Sequence, residues 1–571
     1  MKKYILLILA GLVMFSCARV GSPSGGKKDS LAPKLVGSNI DSARINVPVG
    51  TDHIRLDFDE YVTLKDVQKN LIISPPIKYT KIIPTTLGNK FVEIRWDEPL
   101  QENTTYNFNF GNAIADLNEG NVLPYFNFAF STGNKLDNLY ISGDLYDGFY
   151  KRKEKTDTKT NYVVGLYKAS DSIDYTKKPY YITRADTDGY FELNYLSPGH
   201  YRIIGFNDED QNSVYTPGKE SVYFQDKDVV LNDQNISGME MKLLPSRKVV
   251  KFSEAQITPG GFTLLFEGTP EKVTATAESE NLKEYRLTHR KYSDSARIWF
   301  EPAQLALKDN QSVNIKVSYI ADTLKGNTSV YYKAPEKNDF EISNAVGGLL
   351  PPNSELVIQS NRPLQNFQPD KWSLKVDSTN IQTFHALIDP ADSTRIRVKS
   401  EFLPGKKYEL TVPKETISSL FEKLPKSYQF NFDIDKAQNY GKLTLNLKNV
   451  PQAEFWVQLM SEDDKVKYSV KTSKKDIVFS ELKPGRYYVR ILVDNNGNGV
   501  WDPADFKNNR QAEDVYIFDK IIEIRQMWEN VENTWDPLHP EPVKKPAPAD
   551  GKSSAPTSAA GKELPKPSGK K

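Results

Sequence analysis

The sequence predicts an all-β chain built as a tandem array of about five β-sandwich modules, and three observations carry that reading. First, 30 Tyr and 27 Phe accompany many Val, Ile and Thr, while 35 Pro and 32 Gly interrupt the chain, a composition that favours short strands joined by turns. Second, apolar and polar residues alternate through stretches such as IRLDFDEYVTL (54–64) and KFSEAQITPGGFTLLFEG (251–268), the period of a half-buried strand. Third, two segments align without a gap at a fixed offset of 286 residues, as between Leu196 and Leu482, which marks a duplicated module. At 571 residues the chain is too long for one core, so several domains are expected.

The repeat sets the layout. GYFELNYLSPGHYRIIGFNDEDQNSVYTP (189–217) aligns with KDIVFSELKPGRYYVRILVDNNGNGVWDP (475–503), matching Pro198-Gly199 to Pro484-Gly485, Tyr201 to Tyr487 and Pro217 to Pro503. Each copy reads as strand, Pro-Gly turn, strand. The pattern resembles the prealbumin-like, or carboxypeptidase-regulatory-like, β-sandwich. Each copy follows a different β segment, 34–134 and 336–436, that ends in an FNF strand (YFNFAFSTG; SYQFNFDID). Both segments resemble bacterial Ig-like domains of Bacteroidota lipoproteins. The expected modules are therefore an Ig-like domain at 34–134, a prealbumin-like sandwich at 135–246, a further sandwich at 247–335, a second Ig-like domain at 336–436 and a second prealbumin-like sandwich at 437–538. In that sandwich, DVYIFDKIIEIRQMWENVENTWDP (514–537) reads as a strand followed by a short amphipathic stretch. Strung end to end, the modules predict an extended rod.

The ends of the chain speak about location. MKKYILLILAGLVMFSC has two lysines, an apolar run and Ser16 before the single cysteine, Cys17, the form of a secretory signal over 1–16. Its end resembles a bacterial lipobox, with Met14 and Phe15 where that motif usually has Leu and a small residue. The resemblance implies acylation of Cys17 and an outer-membrane anchor with no spanning helix, since each buried acyl CH₂ contributes about 0.8 kcal/mol. Residues 17–33 form a polar Gly/Ser/Pro/Lys tether. Residues 539–571, rich in Pro, Ala, Ser and Lys, lack core-forming side chains and are expected to be disordered. The residues after the cysteine, Ala18-Arg19-Val20, lack the acidic signal for cell-surface export, so the periplasmic and surface faces both stay open.

Function is constrained more than it is named. With 75 basic and 74 acidic residues, no field points to nucleic acid. The five histidines are scattered, and no nucleophile elbow, P-loop or dinucleotide fingerprint is visible, so no enzyme and no catalytic residue are expected. Asp494, Asn496, Asn498, the Val500 carbonyl, Asp502 and Asp505 fall at positions 1, 3, 5, 7, 9 and 12 of a calcium-type loop with Gly499 at 6, the alternating oxygens a hard cation needs. The loop follows a strand, so it is no EF-hand, and Asn/Asp/Gly are also ordinary turn residues. Its first copy, Asp208 to Lys219, has Ser213 for Gly and Lys219 at position 12 and reads as metal-free. No cofactor is expected beyond calcium as a structural ion in this loop.

Asp-Ser or Asp-Thr followed by an apolar residue or Thr recurs with Ser30, Ser42, Ser172, Ser295, Thr323, Ser378 and Ser393 as the hydroxyl residues. The pattern resembles the O-glycosylation acceptor of exported Bacteroidota proteins, and such pairs also suit turns. Together these readings imply a non-catalytic envelope lipoprotein, a scaffold or binding and adhesion module whose partners are the membrane and an envelope protein or glycan. An accessory subunit of an outer-membrane assembly or export complex is the alternative. A glycan-binding surface protein is a further one, to which Trp372, Trp456, Trp501, Trp528 and Trp535 could lend aromatic rings. Calcium in the Asp494 loop would raise the melting temperature at millimolar calcium and lose that rise on Asp494→Ala; no shift would leave the loop a turn.

Overall fold

A computed structural model of the chain describes residues 29–152, 161–170, 172–308, 311–333, 339–377 and 380–539. Cys17, Ser378 and most of the segment 539–571 lie outside them. Strands hold 52% of the residues and helices 3%, so the chain is all-β as its composition predicts. Five hydrophobic clusters follow one another along the sequence, spanning Ile40–Phe130, Leu139–Leu243, Phe262–Tyr332, Phe340–Ile434 and Leu443–Trp535. Each lies between two main sheets whose alternate residues point inward, as a two-layer fold requires. No helix among the described residues is long and apolar enough to cross a membrane.

The second and fifth sandwiches share one topology. In the second, His200-bearing strand Gly199–Asn207 pairs with Tyr162–Lys168, and the last strand, Ile236–Leu243, lies parallel to the first, Leu139–Asp147. In the fifth, Gly485–Val493 pairs with Phe455–Ser461, and the last strand, Glu529–Trp535, lies parallel to Gly441–Leu447. The amphipathic stretch expected after residue 524 is therefore itself a strand.

The Pro-Gly-x-Tyr motif has a steric explanation. Tyr201 and Tyr487 each donate a hydroxyl hydrogen bond back to the carbonyl four residues earlier, Ser197 at 2.8 Å and Lys483 at 2.9 Å. That folds each ring over the glycine, where a Cβ on Gly199 or Gly485 would stand 3.2 Å from the phenolic oxygen. The glycine is needed for close approach, and the tyrosine ties the turn to the core.

The extended rod is overturned. A sixth cluster joins Val163, Tyr167, Ile182, Ile204, Phe206, Tyr215, Val222 and Phe224 of the second sandwich to Ala504 of the fifth, with Ile72 of the first and a half-buried Phe506 against it. The chain folds back so that the two copies of the repeat pack on each other. Tyr487→Phe should cost about 1 kcal/mol of stability, the net worth of one hydrogen bond, and Gly485→Ala should cost more because it displaces the ring. Urea unfolding of the two variants checks the order.

Candidate functional site

The chemistry-bearing residues gather at the strand-end loops of the two copies, and the loops are built on one plan. A strand ends at an aspartate buried in its module, Asp208 or Asp494, which is 0% or 2% exposed. A cation on the next strand but one faces it. Arg184 comes within 4.0 Å of the Asp208 Oδ2, and the Lys471 ammonium donates to the Asp494 Oδ2 at 2.9 Å. Arg184 and Lys471 occupy equivalent places, since Arg184 pairs with Val163 and Lys471 with Trp456 on matching strands. A glutamate then clamps the far side of each loop. Glu220 accepts from the Glu209 and Thr216 N–H groups at 3.0 and 2.8 Å, and Glu513 from the Asn496 and Asp502 N–H groups at 3.1 and 2.9 Å.

The predicted calcium set is only partly brought together. Asp494, Asn496, Asn498 and Asp502 surround one loop; most of their polar groups are bonded within it or to Lys471, while the buried Asp494 Oδ1 has no hydrogen-bond partner among the described residues. The Asn496 and Asn498 amides donate to the Asp502 Oδ2 at 2.6 and 2.8 Å, and the Gly499 N–H donates to the Asp494 Oδ2 at 3.0 Å. The Val500 N–H is bonded to Asn498 at 2.9 Å. Asp505 leaves the set: it accepts from the Asn508 N–H at 3.2 Å and from the Asn508 amide at 2.8 Å, and it sits 3.8 Å from Arg247. It caps the short turn Phe506–Asn508. Calcium at this loop would have to compete with Lys471 for Asp494.

Charge differs between the copies. Burial pushes Asp494 up, but the Lys471 ammonium and the Gly499 N–H outweigh it and hold the carboxyl below its ordinary range. At Asp208, with its cation farther away, burial wins and the pKa rises. Glu220 is pushed up to about 7 by burial and by the neighbouring charges of Asp210 and Asp208. Among the described residues, Asp208, Asp210 and Glu220 are the acidic group whose ligand atoms lie within 4.8 Å of one another. They belong to the copy whose sequence reads as metal-free. Glu220 and Glu513 went unseen because they lie beyond the twelve-residue loop frame; the visible signal was a glutamate after each loop.

The second copy carries seven more residues between its Asp and Glu than the first, and these make the contact between modules. Phe506 stands 4.7 Å from Tyr175, 5.1 Å from Tyr215 and 5.1 Å from Phe224, ring centre to ring centre. Main-chain bonds flank it: the Ala504 N–H to Pro245 at 3.0 Å and the Arg247 N–H to Ala504 at 2.7 Å. Gln511 donates to the Phe224 carbonyl at 3.0 Å. On the other side of the loop, the Arg490 guanidinium lies 4.1 Å from the centre of the Phe149 ring and donates to the Phe149 carbonyl at 3.2 Å. Trp501 packs on Phe149 at 4.8 Å.

The glycosylation candidates are placed as follows. Ser30, Ser42, Ser172, Thr323 and Ser393 are exposed, and Ser295 is half-buried at the start of a strand. Asp29, Asp41 and Asp392 each accept from the N–H two residues on, at 2.9, 2.8 and 3.0 Å, so those three triplets are also turn-forming.

Residues 29–132 match the bacterial Ig-like domain family model, which places the first sandwich among Ig-like domains. No curated protein matches the chain. Solved structures it is similar to include surface layer protein SbsC, domains 1–6, at 8% identity over 88% of this chain and 68% of that one, TM-score 0.15. BcpA, the major pilin subunit of Bacillus cereus, is 11% identical over 70% and 100%, TM-score 0.13. The Bacillus anthracis TIE protein is 11% identical over 90% and 76%, TM-score 0.12. Likeness at these scores carries nothing about function.

Phe506→Ala should cost about 2 kcal/mol, below the roughly 3–5 kcal/mol of a fully buried phenylalanine because the ring is half-buried. Small-angle scattering should show a larger radius of gyration, and amide exchange should quicken at 504–512 while the module cores keep their protection. The Glu220 carboxyl generates a pH dependence. Its folded pKa of about 7 exceeds the ordinary 4.5, so the folded chain holds a proton that the unfolded chain releases. Stability should fall as pH rises from about 4.5 to about 7 and level off above that. Glu220→Gln should flatten that slope in denaturation series run at stepped pH.

Proposed function

We propose that this chain is a non-catalytic envelope lipoprotein, held in the outer membrane by an acylated Cys17 and acting as a structural and binding module. The observation that carries the reading is what its buried charges do. Asp208, Asp494, Glu220 and Glu513 bond loop main chain, and Arg490 bonds a carbonyl of another module. Groups an enzyme would keep for chemistry are here consumed in fixing loops and joining sandwiches. An Ig-like first module and a β-sandwich array give such a protein stiff surfaces for contacts, though the fold alone names no partner. Glycans on Ser30, Ser42, Ser172, Ser295, Thr323, Ser378 and Ser393 would agree with an exported chain.

Crosslinking of intact membranes, followed by affinity capture of the tagged chain and protease shaving of whole cells, tests the proposal. A partner recovered with the wild type, and a chain that moves to the soluble fraction on Cys17→Ser, are the expected results. Recovery of a soluble wild-type chain with neither membrane nor partner would overturn it.

A further inference from the structure

The open edge of the fifth sandwich carries two large apolar side chains that its core does not use: Met527 is 75% exposed and Trp528 58% exposed. They sit on the turn between the edge strands Val515–Ile524 and Glu529–Trp535. That turn is held firmly. The Met527 N–H donates to the Tyr440 carbonyl at 2.9 Å, and the Lys442 N–H donates to the Trp528 carbonyl at 3.0 Å. Gly441 makes this approach feasible, because a Cβ there would stand 2.5 Å from the Arg525 carbonyl oxygen. Met527 takes a left-handed φ of 58°, uncommon for a side chain of its size. An exposed indole on an anchored and strained turn marks a binding surface more than a loose loop.

Both edge strands are bulged beside it. Between Tyr487 and Val489 the partner strand runs from Ile522 to Phe518, and between Leu443 and Leu445 it runs from Asn530 to Asn533. The bulges accompany a cleft of about 350 Å³ lined by Lys520, Glu523, Arg525, Trp528, Asn530 and Asn533, with Ile521 and Ile522. Arg525 and Glu523 are paired at 2.9 and 3.1 Å, and Asn533 donates to Asn530 at 2.6 Å. The Lys520 ammonium lies 5.7 Å from the centre of the Phe518 ring. The lining thus combines one aromatic face with a dense set of donors and acceptors and little net charge.

We propose that this cleft binds a short carbohydrate, with one sugar ring against the Trp528 indole and its hydroxyls hydrogen-bonded by Lys520, Asn530 and Asn533. A pyranose has an apolar face and a polar rim, which is the division the lining shows. An anion would meet Glu523, and an apolar ligand would strand the charged rim. An added peptide strand needs a regular row of N–H and C=O groups, which the bulges interrupt. The proposal rests on the chain being an envelope binding module and names a ligand class for it.

The test titrates the purified full chain with cellobiose, maltose and N,N′-diacetylchitobiose, followed by tryptophan fluorescence and calorimetry. At least one sugar should bind saturably, about tenfold more weakly to Trp528→Ala and less weakly to Trp528→Phe, at unchanged melting temperature. No saturable binding of any of the three, or binding that Trp528→Ala leaves intact, overturns the site. Loss of a crosslinked protein partner on Trp528→Ala, without sugar binding, would make the cleft a protein dock: the sugar proposal falls while the binding-module reading stands.

Discussion

Phe506, seated among Tyr175, Tyr215 and Phe224, is the contact on which the arrangement of the whole chain depends. A string of five sandwiches joined by short connections has no reason of its own to bend back. Each module buries its own core, and inter-module surfaces in one chain are ordinarily modest and mobile. Here an aromatic ring presented by a seven-residue insertion enters an aromatic socket with edge-to-face geometry, the arrangement ring quadrupoles favour. Main-chain bonds to Pro245 and Ala504 on either side of the Ser246–Ala504 bridge add direction. Ile72 of the first module reaches the same cluster, so three of the five modules share it.

That contact needs a stiff loop to present it, and the stiffness comes from buried charge. A carboxylate removed from water is costly unless hydrogen-bonded or paired. Each copy of the repeat meets that cost with the same three groups: aspartate, cation and glutamate. Their balance differs. Lys471 reaches Asp494 at hydrogen-bonding distance, whereas Arg184 stands off at 4.0 Å from Asp208 and also bonds Asn161 at 2.8 Å and the Lys69 carbonyl of the first module. One cation serves a loop; the other is shared with a neighbouring domain. Burial raises the Asp208 carboxyl, with Asp210 adding to it and Arg184 only partly opposing it, whereas at Asp494 Lys471 and the Gly499 N–H outweigh burial.

Much of this was legible in the sequence, and what was not has identifiable causes. Strand alternation and turn residues revealed an all-β chain, and the gapless repeat led to both Pro-Gly-x-Tyr turns. The same repeat concealed the contact between the modules. Its alignment ends at Pro217 and Pro503, just before the insertion, so Glu220 and Glu513 fell out of register and Phe506 looked like ordinary loop. Asp505 fitted a calcium spacing by number, yet the chain turns after Ala504 and its carboxylate caps the Phe506 turn. Spacing along a chain specifies ligand geometry only where the backbone keeps the expected curl, and here a module contact redirects it. The predicted rod failed for the same reason, since a contact between residues 175 and 506 has no local signature.

Closing the array also changes what the third and fourth sandwiches can do. In an open rod their positions relative to the first module would vary with every connection. With the second and fifth sandwiches joined, both ends of the segment between them are fixed, and the freedom lost is that of a closed loop. Arg362, buried in the fourth module, pairs with Glu422 of that module, and its guanidinium packs beside Gly260 of the third; burial lowers its pKa, against which Glu301 and Tyr332 of the third module act. Asn353 of the fourth donates to Glu481 of the fifth at 2.9 Å. Successive joints are thus pinned as well as the ends. A surface spread over several modules keeps its geometry only under such closure, so a chain that binds through one edge, as at Trp528, can hold the rest of the array at a set orientation to what it binds.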